Sequence, residues 1–397
     1  MATQGTNVWH DLAWFAGPCT VAPHLSCNRP ASFSFSDTIM AYRTHSPHAL
    51  RALVTDMVTA AGWTLEEARE TADHLVLANL SGHDSHGVGM LPLYFQSLAD
   101  GNLSPQAKPK ARLDAAPFLI IDAGVALGQP AARNAVEQAA AMAKAGGVAI
   151  LNLLDAHHIG RIGHYAEAAA EHGLISLFWV NVAGRPPIVA PHAAKEARFG
   201  TNPHAIGIPV PGGDPIILDF ATSRMAHGKA RVALNKGEAV PPGYIIDGQG
   251  RPTTEPRHVF LHGIAGDETL GALLPFGDHK GAGLALIAEL LSAGLMGAAR
   301  IDQKPARSWI LNSLFGIVID PARLEPDAAL RKDRVESYLA FVRAAKPQDP
   351  ADPVLTPGEK ERATRIARTR DGIPLDDETW SQIKAAAAAH GLDAERY

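Results

Sequence analysis

The chain has 397 residues, with 36 Lys and Arg against 41 Asp and Glu, a formal net charge of −5. With 46% hydrophobic and 19% charged residues it reads as a globular protein long enough to bury a sizeable core. No positive excess exists to neutralise phosphates, which argues against nucleic acid as the main partner, and two cysteines cannot staple a disulfide scaffold.

Both cysteines, Cys19 and Cys27, lie in the first 40 residues, so thiolate catalysis and Cys-based zinc sites are excluded from Met40 onward. Residues 1–39 are rich in Ser, Pro and small residues without periodicity and lack the basic start and apolar core of a signal peptide. They are expected to form a flexible extension, with only a weak match to an organelle transit segment. From Ser46 to Leu80 the pattern is helical. Leu50, Leu53, Met57 and Val58 share a face, Gly62 marks a stop, and Thr64 with Glu67 forms a capping-box signature for a second helix. The polar turn SGHDSHG follows.

Between residues 118 and 220 the period changes. Apolar runs at 118–122, 148–154, 175–182, 205–210 and 215–220 predict strands, with helical segments at 129–145 and 165–172. The expectation is an α/β fold, a mixed-sheet core with helical N- and C-terminal layers. Residues 40–115 are expected to pack with 330–397, around a core of 116–329. The run 315–321 predicts an edge strand, and a last helix is expected near Asp376–His390. The apolar stretch Gly281–Ala299 carries Glu289 near its middle and predicts a buried core helix rather than a membrane span.

There is no G-x-G-x-x-G, Walker A sequence, G-x-S-x-G elbow or H-E-x-x-H. A Rossmann fingerprint is therefore absent. What stands out is histidine in Gly-bordered turns: His83-Asp84-Ser85-His86-Gly87, His157-His158-Ile159-Gly160-Arg161-Ile162-Gly163 and Gly277-Asp278-His279-Lys280-Gly281. Histidine exchanges protons near neutral pH, and turns at strand ends expose side chains to a cleft. A zinc site built from His83, His86, Asp84 and the His157/His158 pair is the competing reading. Adjacent histidines diverge on a regular backbone and no glutamate stands as a hydrolytic base, so no metal is expected.

Six segments in order carry a resemblance: GHDSHGVGMLPLY (82–94), HHIGRIGHYAEAAAEHG (157–173), RFGTNPHAIGIP (198–209), the stretch 218–256, GDHKGAGLALIAELL (277–291) and LTPGEKE (355–361). With them the chain resembles the type-2 malate/L-lactate dehydrogenases, NAD(P)-dependent enzymes outside the Rossmann dehydrogenases. The resemblance implies hydride transfer between 2-oxo acids and 2-hydroxycarboxylates, NAD or NADP as cofactor, a cytoplasmic homodimer, and neither nucleic acid nor membrane as partner. His158 matches the family's acid/base and His86 a histidine at the cofactor and substrate cleft. Gly160, Arg161 and Ile162 match dinucleotide contacts. So do Ile216, Ile217, Leu218, Asp219, Phe220, Asp278, Asn312, Gly358, Glu359, Lys360 and Glu361. Tyr94 matches an aromatic of the substrate pocket.

One departure matters. Many relatives carry an arginine where Met90 stands, a position suited to gripping a substrate carboxylate. The expectation is that Arg161 or Arg185 takes over as clamp and that Met90 makes the pocket roomier, favouring aromatic or long-chain 2-oxo acids. The rivals are a cyclic imino-acid reductase on the same framework and, from another class, a histidine-rich metallohydrolase or metal-binding protein.

Overall fold

The computed structural model describes residues 42–260, 269–303 and 309–397. The N-terminal extension expected at 1–39 lies outside them. The described residues belong to one compact unit, Ala41–Tyr397.

The chain opens with a short strand β1 (Tyr42–His45) and two helices, α1 (Pro47–Ala60) and α2 (Leu65–Leu80). The Ser46 side chain accepts from Ala49 N–H, and Thr64 and Glu67 complete a reciprocal capping box. Each such cap is worth about 1 kcal/mol. Gly62 takes φ +103°, which ends α1. Two short turns then lead into α3 (Leu91–Ala99).

The central layer contains β2 (Lys110–Ala115), β3 (Phe118–Asp122), α4 (Gly128–Gly146), β4 (Val148–His157), α5 (Gly163–Glu171), β5 (Ile175–Ala183), β6 (His204–Ile208) and β7 (Ile216–Phe220). Next come α6 (His227–Lys236), three two-residue strands, β8 (Ile245–Ile246), β9 (Pro252–Thr253) and β10 (Ala272–Leu273), and α7 (His279–Glu289). The chain closes with β11 (Leu311–Ile319), α8 (Ala328–Arg343), α9 (Glu359–Asp371), β12 (Ile373–Asp376) and α10 (Asp377–Ala388). The seven-stranded sheet runs β2-β3-β4-β11-β5-β6-β7. Only β3 and β4 pair in parallel; the other neighbours are antiparallel.

Two sequence expectations are corrected here. The run at 315–321 is no edge strand. As β11 it fills the middle of the sheet, bonded to β4 and β5, and its residues are mostly buried because both faces are covered. The stretch Gly281–Ala299 is a core helix on one face only: Gly281, Ala282, Ala285, Ala288 and Glu289 of α7 are buried, Leu286 and Ile287 stand 46% and 45% exposed, and one π-helical turn, Leu290–Gly294, follows. Among the described residues no helix is long and apolar enough to cross a membrane.

The sheet core packs Leu119, Leu151, Leu153, Phe178 and Val318 against the alanine-lined face of α4. A second core joins the N-terminal helices to the C-terminus, with Leu53, Met57 and Leu75 packed with Ile373, Trp380 and Ile383. Each buried side chain of this size contributes about 1.5–3 kcal/mol. It is β12 and α10 that close this layer, with β1 pairing β12; α8 buries no residue at all.

Candidate active site

The acid–base candidate sits where β4 ends. His157 is the last strand residue and pairs with Leu311 of β11; His158 begins the turn. His158 is buried, and both ring nitrogens have partners. Nδ1 lies 2.7 Å from the Tyr94 hydroxyl, and Nε2 lies 3.2 Å from His86 Nδ1. The Tyr94 hydroxyl also accepts from Gln129 Nε2 at 2.5 Å, so its own proton is directed to His158 Nδ1. His158 then carries its proton on Nε2, facing His86. The two imidazoles lie nearly parallel, with centroids 5.3 Å apart. Tyr94, expected as a pocket wall, is therefore the group that sets the His158 tautomer. Gln129 was not foreseen; nothing in its helical surroundings distinguishes it from a core-facing amide.

Burial holds all of these histidines neutral. His158 is well below the ordinary histidine value because of burial and then the nearby His86, His157 and Arg185. Burial, with His83 and Arg161, lowers His86 to about 4, and burial alone lowers His157 to about 3.

Four elements converge on the backbone of the His158 turn. Ile159 N–H donates to Asn312 Oδ1 (3.1 Å), Tyr165 O–H donates to the Ile159 carbonyl (2.5 Å), and Arg161 N–H donates to His74 Nε2 (2.9 Å). Gly163 N–H donates to Asp219 Oδ2 at 2.9 Å. Gly160 adopts φ +78°, and a Cβ there would overlap the His74 ring. A Cβ on Gly128, at the start of α4, would overlap the carbonyl oxygens of His157 and His158. The His86 turn is built in the same way. Asn79 donates to Asp84 Oδ1 (2.7 Å) and accepts from Val88 N–H (2.8 Å), while Arg368 grips Asp84.

The two clamp candidates part company. The Arg161 guanidinium is only 2% exposed, 3.0 Å from Glu167 and 3.3 Å from Asp219. It is committed to internal carboxylates, with none of its charge left for a substrate. Arg185 is exposed, lies 5.5 Å over the Trp309 ring, and pairs with no carboxylate among the described residues. Trp309 in turn stacks on His157 at 5.7 Å and 9°. His157 meets Tyr94 edge-on at 5.1 Å, so a row of ring contacts joins Arg185 through Trp309, His157 and Tyr94 to His158. Met90 packs half-buried on the helical core.

Several of the expected cofactor contacts have partners within the fold. The Asn312 side chain holds the Ile159 amide and the Asn181 carbonyl. Asp278, at φ +55°, pairs with Arg224 at 2.6 Å. Glu359 binds Arg343 and caps Thr356, and Glu361 pairs with His83 at 3.4 Å, which lowers the Glu361 carboxyl to about 2. Lys360 is exposed; Gly358 caps α9 at φ +92°. Ile216, Ile217, Leu218 and Phe220 share β7, the sheet's last strand, beside the turn that Asp219 holds. Among the described residues no group accepts from the N–H of Gly160 or Ile162, both buried. Two orphaned donors beside His158 suit a polar cofactor.

Glu70, His74 and His164 have metal-like spacing. The donor set does not fit an ion, because His74 Nε2 already accepts the Arg161 amide and its Nδ1 must keep the ring proton.

The malate/L-lactate dehydrogenase family model matches residues 45–384. The chain belongs to this family. Hydroxycarboxylate dehydrogenase B of Escherichia coli (strain K12) is 39% identical over 350 residues, 87% of this chain and 94% of that protein. The sulfolactate dehydrogenase structure from Methanocaldococcus jannaschii superposes with a TM-score of 0.79 at 32% identity, covering 89% of this chain and 99% of that one. The Δ1-piperideine-2-carboxylate reductase structure from Pseudomonas syringae gives 0.72 at 32% identity, covering 87% and 100%. The protein is thus a mixed α/β member of a family of 2-hydroxy-acid dehydrogenases and imino-acid reductases, an oxidoreductase.

Proposed function

We propose that the protein is an NAD(P)-dependent 2-oxo-acid reductase and 2-hydroxycarboxylate dehydrogenase, with His158 as acid/base. The observation that carries this is the Gln129–Tyr94–His158–His86 chain, which steadies Nδ1 through Tyr94 and sets Nε2 against a second proton-exchanging imidazole. A nicotinamide bound beside the His158 turn supplies the hydride; the Gly160 and Ile162 amides and the β7 edge would hold it. In reduction the ring, protonated on both nitrogens with Nδ1–H turned to the Tyr94 oxygen, gives its Nε2 proton to the C2 oxygen of the oxo acid and is left neutral; in oxidation the neutral ring takes that proton back on Nε2. Tyr94 steadies Nδ1 as the ring charges, and burial keeps water from competing.

Arg185, beside Trp309, is the proposed clamp for the substrate carboxylate, replacing the alternative at Arg161. The aromatic wall of Trp309 and Tyr94, with no arginine at Met90, supports a preference for aromatic or long-chain 2-oxo acids. We further propose a cytoplasmic homodimer. Its support is the family resemblance together with apolar side chains left on the surface: Leu286 and Ile287 of α7, and Tyr338 (67% exposed) and Phe341 (74%) of α8.

The test is the fall in nicotinamide absorbance, with NADH and NADPH in parallel, across pyruvate, oxaloacetate, 2-oxoglutarate, phenylpyruvate, hydroxyphenylpyruvate and a cyclic imine. Reduction of the oxo acids, with the aromatic ones fastest, is expected. Turnover of the imine alone would replace this reading by the imino-acid reductase.

A further inference from the structure

We infer that Glu289, buried at the end of α7, is a positioning residue for the His158 turn; this rests on the acid–base reading of His158. Glu289 is 7% exposed and pairs with no cation among the described residues. Its carboxylate is held by neutral donors instead. Oε1 accepts from Ile301 N–H at 3.0 Å and Asn181 Nδ2 at 3.3 Å, and Oε2 accepts from Asn202 Nδ2 at 3.2 Å. A buried charge with this shell fixes which way each amide faces, because only an acceptor satisfies all three.

The orientation is passed on. With Nδ2 turned to Glu289 and to the Ala299 carbonyl (3.0 Å), Asn181 aims Oδ1 at Ser313 N–H (2.9 Å). The Asn181 carbonyl accepts from Asn312 Nδ2 (2.9 Å), and Asn312 Oδ1 accepts from the N–H of Ile159, the residue after His158. A second branch closes the loop. Ser313 Oγ accepts from Asp155 N–H (3.0 Å), and Asp155 Oδ1 accepts from Ala299 N–H (2.7 Å). One carboxylate therefore holds Asn181 in place, the Asn181 backbone carbonyl orients Asn312, and the Asn312 side chain ends on the backbone next to the acid–base.

Backbone strain independently marks the same network. Asp155 and Asn202 adopt φ +52° and +29°, in the region that favours glycine, and both direct their side chains into it. The helix also switches to a π-turn immediately after Glu289. Local strain kept at two positions and a helix irregularity at a third show that the arrangement is held against local preference.

The experiment compares wild type, Glu289→Gln, Asn312→Ala and the double variant, with His158→Ala alongside, for kcat and KM with the best oxo acid and for NADH or NADPH affinity. Glu289→Gln keeps the shape but turns an NH2 toward donors. It is expected to lower kcat about 10–100-fold, the cost of sub-ångström misplacement, with KM and cofactor affinity within about threefold. The double variant is expected to lose no more than the worse single one, because both break one chain. A folded Glu289→Gln with wild-type kcat overturns the proposal, as does simple multiplication of the two losses. If Glu289→Gln does not fold, Asn181→Ser breaks the relay one step later and is read in the same way. Turnover surviving in His158→Ala instead overturns the acid–base reading, leaving the two failures distinguishable.

Discussion

His158 is buried between a tyrosine hydroxyl and a second imidazole, and each neighbour carries a prediction. Replacing Tyr94 with Phe removes the group that directs the His158 proton to Nε2. The variant is expected to lower kcat about 10–100-fold at unchanged cofactor affinity, as measured by steady-state kinetics and a binding titration. The pH dependence follows from the direction of the His158 shift. Its pKa is lowered, so above about pH 6.5 the free enzyme is already deprotonated. Reduction, which needs the proton, is expected to lose about tenfold in kcat/KM per pH unit there, while oxidation, which needs the free base, stays flat. The arginines give the sharpest contrast. Arg185→Met should raise KM for the oxo acid at least tenfold without affecting folding, since no internal carboxylate depends on it. Arg161→Met leaves Glu167 and Asp219 buried without their shared partner. It should cost about 3–5 kcal/mol in a denaturant melt.

Loops carry the chemistry and strands carry the loops. The histidine turns were legible because Gly and polar residues interrupt apolar runs, and Thr64 with Glu67 marked a helix start that the structure contains. The central place of β11 was not legible. Its apolar pattern is the same for any strand covered on both faces, and its partners β4 and β5 lie far away in the chain, the nearest pairing being Leu311 with Ala183. The commitment of Arg161, Asn312 and Glu361 to internal partners was hidden for a similar reason: residue type names a chemistry, while the tertiary fold decides whether that chemistry is free. Close approach makes its own prediction. A Cβ on Gly87 would overlap the Asn79 carboxamide that braces the His86 turn. Gly87→Ala should therefore lower kcat by about 100-fold while the melting temperature falls by only a few degrees.

At the scale of the molecule, the sheet core and the helical core meet at the site, and several neutral histidines are buried there. Unfolded, each would take a proton near pH 6.5; folded, His86 waits until about 4 and His157 until about 3. Between those values the unfolded chain binds more protons, so stability must fall as pH drops from about 6.5 toward 4. Melting temperatures across that window are expected to decline steadily, and a flat profile would show that these rings are solvated. The measurement that bears most directly on the whole account is turnover of His158→Ala beside its cofactor binding, read by nicotinamide absorbance and by nicotinamide fluorescence. The account predicts a loss of at least about 10²-fold in kcat with NADH or NADPH still bound at wild-type affinity. Wild-type turnover in that variant would contradict it.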